Sequence, residues 1–412
     1  MTRQTKILLL TILTLCEISC LLFARYGVSA ATIIYTMSGI TMCFIALTND
    51  INAKQIAPDC YGRYTYFLYI TATLLIANWI MNVFRAHIYT TPLDIQMSDM
   101  LLFIREMAHR YLAYQHVYAP ITSIYGSPVQ AVYLPAFWLP YTIPLYIGLD
   151  MRWASLAAFI ASIIIASLVS RKHFSTEYLI LLLPVALFSY LVLSGAAYYL
   201  MFTQEALVLF YVALLCWALT YEYWILAGIA AALCIMSRYF IAAPLLAALI
   251  WLYTRDPKAA QKTILATLGA LAIILTISGC WGDVVYFFKI PFLYVGLLND
   301  TSSLEAFRYI MYYGSVGFAS FLHGDSVRLI TFLNLAILLL VPISYFLFAY
   351  RYLSDRKKGL IILCGVKFFL VLFLTTLSHP YAYVLYTSSL VSIMLLRNEL
   401  ITAGSILPIW TA

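Results

Sequence analysis

The chain has 412 residues, of which 64% are hydrophobic and only 10% are charged. A soluble globule of this size needs more polar surface than this composition supplies, because its exterior faces water. The sequence therefore predicts an integral membrane protein. The net charge of +7 is interpreted first as a marker of membrane topology, and it does not indicate a nucleic-acid partner.

Apolar stretches of about 20 residues, the length that a helix needs to cross the hydrocarbon core, follow one another along the chain. The predicted spans are Ile7–Phe23, Val28–Thr48, Tyr64–Phe84, Trp153–Ser170, Tyr178–Tyr199, Ala206–Tyr221, Trp224–Ser237, Tyr239–Tyr253, Thr263–Cys280, Leu329–Tyr350, Leu360–Leu377 and Tyr381–Leu396. The predicted fold class is an all-α integral membrane protein with about twelve transmembrane helices (roughly 10–13). Residues 1–412 form a single polytopic membrane domain, without a separate soluble domain.

The segment Ala131–Leu149 is apolar enough to cross but contains Pro135, Pro140 and Pro144. Repeated prolines remove backbone donors and break a helix, which lipid-exposed backbone tolerates poorly. We therefore expect a broken, interfacial or re-entrant element on the outer side. With a cytoplasmic N-terminus, this choice places the most basic short loops inside, as the positive-inside rule requires.

Two long hydrophilic stretches then lie outside, residues 85–150 and 281–328. The first contains a predicted amphipathic helix, and we expect that helix to lie on the membrane surface. Its apolar positions are Met100, Ile104, Met107, Ala108 and Tyr111, and its charged positions are Arg105, Glu106 and Arg110.

The carboxylates of Asp94 and Asp99 stand just before this helix. At the lipid–water boundary a carboxylate can meet a membrane-bound substrate and still reach solvent. Another reading is that Asp99, which follows Ser98, only caps the helix through its side chain and the helix dipole. The residues alone leave both roles open.

The stretch PLDIQMSDMLLFIREMAHRYLAYQHVYAP is followed by the Tyr-rich, Pro-broken ITSIYGSPVQAVYLPAFWLPY. This order resembles the first outer loop of the C-type (GT-C) membrane glycosyltransferases. It is most similar to enzymes that take a sugar from a polyprenyl-phosphate carrier, such as lipid A aminoarabinose transferases and bacterial mannosyl- and arabinosyltransferases. The resemblance implies an active site that faces away from the cytoplasm, with Asp99 as the essential aspartate and Asp94 in reserve.

Weaker likenesses continue along the chain. GAAYYLMFTQEALVLFYVALL resembles the family's second outer loop, with Gln204 and Glu205 where an Asp is common. LAGIAAALCIMSRYFIAAPLLAAL is similar to a small-residue helix followed by a cation and a Pro-containing helix, with Arg238 in the place of a Lys. SHPYAYVL places His379 and Tyr381 at an outer helix junction.

The chemistry of sugar transfer accounts for these residue types. A carboxylate, here Asp99, takes the proton of the acceptor hydroxyl as that hydroxyl attacks the anomeric carbon. Because the leaving group is an anionic polyprenyl phosphate, a cation in a dry cavity stabilises the developing charge. Arg238 is the first candidate for this cation, and Arg105, Arg110 and Lys289 are further candidates.

The resemblance thus implies three partners: a polyprenyl-phosphate-linked sugar donor, a lipid or glycan acceptor, and the surrounding membrane lipids. No cofactor is required, although acidic groups at Asp94, Asp99 and Glu205 could hold a divalent metal. We expect the protein in a cell (inner) membrane with its site outside, or in the ER membrane of a eukaryote.

Two other classes remain open. A transporter or lipid flippase would show paired repeats, interrupted helices and polar residues along a path through the membrane. A polysaccharide-polymerase-like protein, or a non-catalytic partner in polysaccharide assembly, would also carry a large outer loop. The gathering of polar groups at one predicted face favours the glycosyltransferase.

Overall fold

The computed structural model describes residues 28–47, 63–95, 98–124, 126, 128–171, 202–203, 205–290 and 327–344, with isolated positions near residues 9–16, at 293 and at 347. The helices are α1 Val28–Leu47, α2 Arg63–Thr90, α3 Asp99–Leu112, α4 Pro135–Trp138, α5 Thr142–Tyr146, α6 Arg152–Arg171, α7 Glu205–Thr220, α8 Trp224–Ile235, α9 Ala242–Arg255, α10 Pro257–Ser278 and α11 Val327–Ser344. Within these residues the only β pairing is an isolated bridge between Ile121 and Val129. The all-α class is therefore confirmed for the described part of the chain.

Several helix ends of the described residues gather in two groups. At one end, which we call the loop end, lie the last turns of α2, α8 and α10 and the first turns of α6 and α7. Side-chain hydrogen bonds to backbone carbonyls join elements at this end. Arg152 of α6 donates to the carbonyl of Ile88 in α2, and Tyr111 of α3 donates to that of Ile277 in α10. Ser98, before α3, donates to that of Phe202, before α7. The loop end therefore gathers segments that the sequence predicts to lie outside.

The opposite end of the bundle is closed by aromatic and small apolar side chains. Trp217, Tyr221 and Tyr223 form a cluster of rings where α7 turns into α8. Trp224, at the start of α8, packs against a small cluster formed by Leu252, Ala259 and Ala260. The end of α9 and the start of α10 thus belong to this end.

The tightest helix pair is α8 with α10. Ala227, Ala230, Ala231 and Ala232 are all buried on α8, and a Cβ atom built on Gly228 would come within 2.5 Å of the backbone oxygen of Thr263. Small side chains permit such backbone approach, which is how helices associate where no hydrophobic force drives them together. Gly228 therefore sets the spacing of this pair.

The amphipathic helix is confirmed as α3. Its hydroxyl cap is Ser98, whose Oγ accepts the N–H of Leu101 at 3.1 Å. Of the predicted apolar face, Ile104, Met107 and Ala108 are completely buried, whereas Met100 and Tyr111 are half-buried. Since α3 packs against α4 and α5, protein covers much of the face that we expected to rest on lipid.

The Pro-rich segment is broken, as predicted. It consists of α4, the 3₁₀ turn Leu139–Tyr141 and α5. Pro135 stands at the first position of α4 and Pro140 within the 3₁₀ turn, where a missing N–H leaves no intrahelical bond unmade. Trp138 and Tyr141 are fully buried, so the segment forms part of the protein core at the loop end.

Among the described residues, one helix, Pro257–Ser278, is long and apolar enough to cross a membrane. Shorter apolar helices occur at Ala30–Thr41, Arg152–Ile165, Glu205–Leu219 and Trp224–Ile235. The larger number of spans stays a prediction, and the predicted spans Tyr178–Tyr199, Leu360–Leu377 and Tyr381–Leu396 lie outside the described residues.

Two helix boundaries differ from the predicted ones by six residues. The helix predicted to end at Phe84 continues to Thr90, so the outer stretch begins later than residue 85. The helix predicted to begin at Thr263 begins at Pro257, because Asp256 caps it by accepting the N–H groups of Lys258 and Ala259, each at 3.0 Å. Hydropathy marks the apolar part of a helix, whereas caps determine its ends.

The close approach at Gly228 predicts a sharp difference between two glycines. Gly228→Ala should lower the free energy of unfolding by about 1–3 kcal/mol, because the new methyl group forces backbone to shift. Gly269→Ala is the matched control: a Cβ there meets nothing within 4 Å, so it should leave stability unchanged or raise it by about 0.5–1 kcal/mol. Unfolding in detergent measures both, and equal effects would contradict the assigned role of Gly228.

Candidate functional site

The loop end contains a buried ion pair between two residues that the sequence singled out. Nη2 of Arg238 donates to Oε1 of Glu205. The side chain of Glu205 is 4% exposed and that of Arg238 is 22% exposed, so the pair meets solvent only through the arginine. The Cζ atom of Arg238 lies 4.9 Å from the centroid of the Phe137 ring, a cation–π contact.

Local backbone structure positions both members of the pair. Glu205 is the first residue of α7, where the helix dipole favours a carboxylate. α8 ends at Ile235, and the N–H groups of Ser237 and Arg238 both return to the carbonyl of Cys234, at 3.3 and 2.8 Å. Arg238 therefore leaves the helix in an extended conformation and turns toward the start of α7.

The Pro-broken segment forms a wall beside this pair. The N–H of Ala136 donates to the carbonyl of Met236 at 3.1 Å, and the hydroxyl of Tyr211 donates to the carbonyl of Ala136 at 2.9 Å. These bonds hold α4, and with it Phe137, against α7 and the end of α8. The sequence predicted a broken outer element but could not place it next to Glu205 and Arg238.

Tyr141 belongs to the same wall. Its hydroxyl shares a hydrogen bond of 2.8 Å with Oγ of Ser155. Burial raises the pKa of Tyr141 well above its ordinary value, and the charge of Glu205 raises it further. Tyr141 therefore remains a neutral hydroxyl at physiological pH and lies within electrostatic reach of the ion pair.

Asp99 lies at the start of α3 in the same region. The hydroxyl of Ser98 donates to the carbonyl of Phe202, three residues before Glu205. Oδ1 of Asp99 accepts the N–H of Met100 at 2.7 Å, and the Asp99 side chain is half-buried. The helix is therefore capped by Ser98 rather than by Asp99. Asp99 follows the residue that is hydrogen-bonded to Phe202, in the segment that leads into α7.

Asp94 is also half-buried, and its carbonyl accepts the N–H of Ser98 at 3.0 Å. Arg105 lies half-buried on α3. Arg110 donates to Glu106 at 3.1 Å and to the carbonyls of Ala119 and Pro120, so it closes the turn after α3. Lys289 is exposed in the helical residues that follow α10. Gln204, His379 and Tyr381 lie outside the described residues.

A second ion pair, which sequence reasoning did not select, holds the loop end together. Its arginine, Arg152, is fully buried, and the side chain of Asp150 is 30% exposed. Nε and Nη2 of Arg152 donate to the two carboxylate oxygens of Asp150 at 2.9 and 2.7 Å. The same guanidinium donates to the carbonyls of Thr91 and Ile88 at 2.7 and 2.8 Å, and its Cζ lies 5.5 Å from the ring centroid of Phe202. The Asp-x-Arg pattern at the start of an apolar helix was the available signal.

The two predicted outer stretches are in contact. Nε2 of His116 and Oδ1 of Asp283 are 3.2 Å apart. The ring of Tyr118 lies 5.5 Å from that of Tyr286, whose hydroxyl donates to the carbonyl of Ala131 at 2.6 Å. Burial raises the pKa of Tyr118 well above its ordinary value; burial and the charge of Asp283 raise that of Tyr286 to about 12. Both phenols are therefore neutral donors at physiological pH.

Metal binding finds no support in the part of the chain that the structure describes. No group of three or more His, Cys, Asp or Glu side chains able to hold a metal ion occurs there. Asp94, Asp99 and Glu205 in particular do not form such a set.

Comparisons with known proteins return no match to a family model, to a curated protein or to a solved structure. The resemblance to the GT-C enzymes therefore rests on the residues quoted above.

The buried position of Arg152 predicts a large effect on stability. Arg152→Met should lower the free energy of unfolding by about 1–3 kcal/mol, because the carbonyls of Ile88 and Thr91 lose the buried donor that they share. Arg85 is exposed on α2, so Arg85→Met, the matched control, should change stability by less than about 0.5 kcal/mol. Unfolding in detergent measures both variants. Equal stability of the two would contradict the structural role of Arg152.

Proposed function

We propose that this chain is an integral membrane glycosyltransferase that moves a sugar from a polyprenyl-phosphate carrier to a lipid or glycan acceptor at the non-cytoplasmic face. The observation that carries the proposal is the ion pair at the loop end between a partly exposed arginine, Arg238, and a buried glutamate, Glu205. The helix that begins with Asp99 is joined to the segment before Glu205 by the hydrogen bond from Ser98 to the carbonyl of Phe202. These residues come from separate segments that the sequence predicts to lie on the same side of a membrane.

The grouping of helix ends supports the multi-span part of the proposal. The ends of α2, α8 and α10 and the starts of α6 and α7 lie at the loop end, as expected if each of these helices crosses the membrane once. Among the described helices, α10 is the one that is both long and apolar enough to cross a membrane. Membrane topology with about twelve spans accordingly belongs to the proposal, as do the outward-facing site and the location in an inner or ER membrane.

Arg238 is suited to bind the lipid phosphate. Glu205 and the ring of Phe137 hold its guanidinium in place, and its side chain retains access to the surroundings. A planar fork that is held in this way can meet a phosphate with charge-assisted hydrogen bonds. Because Glu205 is buried and the guanidinium lies against the ring of Phe137, an anionic leaving group would be stabilised there more strongly than in water.

The reaction that we propose needs one proton acceptor. The oxygen of the acceptor hydroxyl attacks the anomeric carbon, and its proton passes to the carboxylate of Asp99. The bond between that carbon and the phosphate oxygen breaks with both electrons on oxygen, so polyprenyl phosphate leaves. Attack from the face opposite the phosphate inverts the anomeric carbon.

The distribution of charge favours transfer over transport. In the described residues the two ion pairs that have a buried member, Asp150–Arg152 and Glu205–Arg238, both lie at helix ends of the loop end. A transporter or flippase would be expected to carry such groups near the middle of its spans. A polysaccharide-polymerase-like activity shares the outer-face location, and the transfer assay below separates it through its products.

Transfer of labelled sugar from polyprenyl phosphate by the purified protein tests the proposal. Asp99→Asn should reduce the rate by about 10²–10⁴-fold, the usual contribution of a general base, whereas Asp94→Asn should retain most of it. Glu222→Gln is the control, because Glu222 is exposed at the opposite end of the bundle. Survival of transfer in both aspartate variants would contradict the mechanism.

The side of the membrane is tested by labelling single introduced cysteines in intact cells. Ser123 is exposed in the first predicted outer stretch, and Lys262 is exposed near the start of α10. A membrane-impermeant maleimide should label Ser123→Cys from outside and Lys262→Cys only after the cells are opened, with the unsubstituted protein as background. The reverse pattern would overturn the proposed orientation.

A further inference from the structure

The carboxylate of Glu205 is satisfied on one side only. Its Oε1 accepts from Arg238, while its Oε2 is buried and has no hydrogen-bond partner among the described residues. A buried charged oxygen without a donor is costly, because it has given up its bonds to water without replacement. Glu205 itself is 3% exposed, so bulk solvent does not meet this need.

The pair of Arg152 with Asp150 shows that such an open side is not inevitable. Arg152 donates to both oxygens of Asp150, the bidentate arrangement that satisfies a carboxylate most fully. Arg238 bonds only one oxygen of Glu205 and turns its guanidinium over the ring of Phe137. An arginine and a carboxylate thus form a closed pair at one place and a half-open pair at the other.

The part of the chain that the structure describes supplies no donor to this oxygen, since none of its N–H or O–H groups makes a hydrogen bond to Oε2. The hydroxyl of Ser98 donates to the carbonyl of Phe202, and Oγ1 of Thr203 accepts the N–H of Glu205 at 3.4 Å. A bound molecule with a hydroxyl or amine group can supply the missing donor.

We propose that Glu205 is a specificity-determining residue: its Oε2 accepts a hydrogen bond from a donor on the group esterified to the phosphate that Arg238 binds. This inference rests on the proposed function, since it assumes a lipid phosphate at Arg238. A sugar joined through its anomeric oxygen carries a hydroxyl on the adjacent carbon, within a few bonds of the phosphorus. The ligand class is thus a lipid phosphodiester whose polar group has a hydroxyl or amine close to the phosphate.

Arg238 and Glu205 then bind two adjacent parts of one ligand, the phosphate and the polar group esterified to it. The cation attracts any phosphodiester, and the carboxylate distinguishes those that bring a donor from those that do not. Discrimination of this kind is strong, because a ligand without the donor leaves a buried charged oxygen unpaired. Arg238 accordingly determines affinity for the anion, and Glu205 determines which head group is accepted.

Binding of two synthetic probes to the purified full-length protein in nanodiscs tests the inference. One probe is a polyprenyl phosphate esterified to a hexose, and the other is the same lipid phosphate esterified to cyclohexanol. The two probes have equal charge and nearly equal ring size, but only the hexose carries donors. The wild-type protein should bind the hexose probe about 10- to 100-fold more tightly, the worth of a hydrogen bond to a charged group. Equal binding of the two probes would overturn the inference without any variant.

Two substitutions separate the inference from the proposed function. Glu205→Gln keeps an acceptor for Arg238 but replaces the charged Oε2, so the preference for the hexose probe should fall about tenfold while the cyclohexyl probe binds as well or better. Arg238→Gln should weaken both probes by about tenfold or more. Glu222→Gln, at the opposite end, should alter neither.

The outcomes are distinct. If Arg238→Gln weakens both probes but Glu205→Gln leaves their ratio within about twofold of wild type, the inference fails and the anion site stands. If neither probe binds the wild-type protein, or if Arg238→Gln changes neither affinity, the proposed function itself fails. If Glu205→Gln lowers the ratio of the two affinities and Arg238→Gln weakens the binding of both probes, the inference and the proposed function are both supported.

Discussion

The loop end depends on the buried guanidinium of Arg152. A fully buried cation must find hydrogen-bond acceptors within the protein, and here it finds the Asp150 carboxylate and the last carbonyls of α2. Those carbonyls are the ones that a helix end leaves without intrahelical partners. The Arg152 side chain thus finds its own hydrogen-bond acceptors and supplies donors to these carbonyls. It also contacts the ring of Phe202, which precedes α7.

Phe202 connects the surroundings of Arg152 to the candidate site. The carbonyl of that residue accepts the hydroxyl of Ser98, the cap of α3, so the start of α3 and the start of α7 are joined. Glu205 follows within one turn. The half-open pair of Glu205 with Arg238 is therefore set in a region whose backbone is held by the closed pair of Asp150 with Arg152. A rigid surrounding is what a binding site needs if its side chains are to be oriented before a ligand arrives.

Much of the local structure was predictable because its causes are local. The period of apolar residues predicted α3, and three prolines in one segment predicted the breaks between α4 and α5. The apolar face of α3 was assigned to lipid, but it packs on the Pro-broken segment, and periodicity cannot distinguish these two apolar surroundings. Arg152 was overlooked as well, since its partners at Ile88 and Thr91 are more than 60 positions earlier in the chain.

The sequence by itself determined the all-α class, the membrane character of the composition, the positions of most helices and the residue types from which a phosphate site could be built. Only the tertiary structure decided that Glu205 and Arg238, which are 33 positions apart, form a pair and that Phe137 lies beneath the arginine. The physical reason is that antiparallel helices bring the end of one beside the start of another. Which ends meet depends on close packing such as that at Gly228, and no local pattern encodes it.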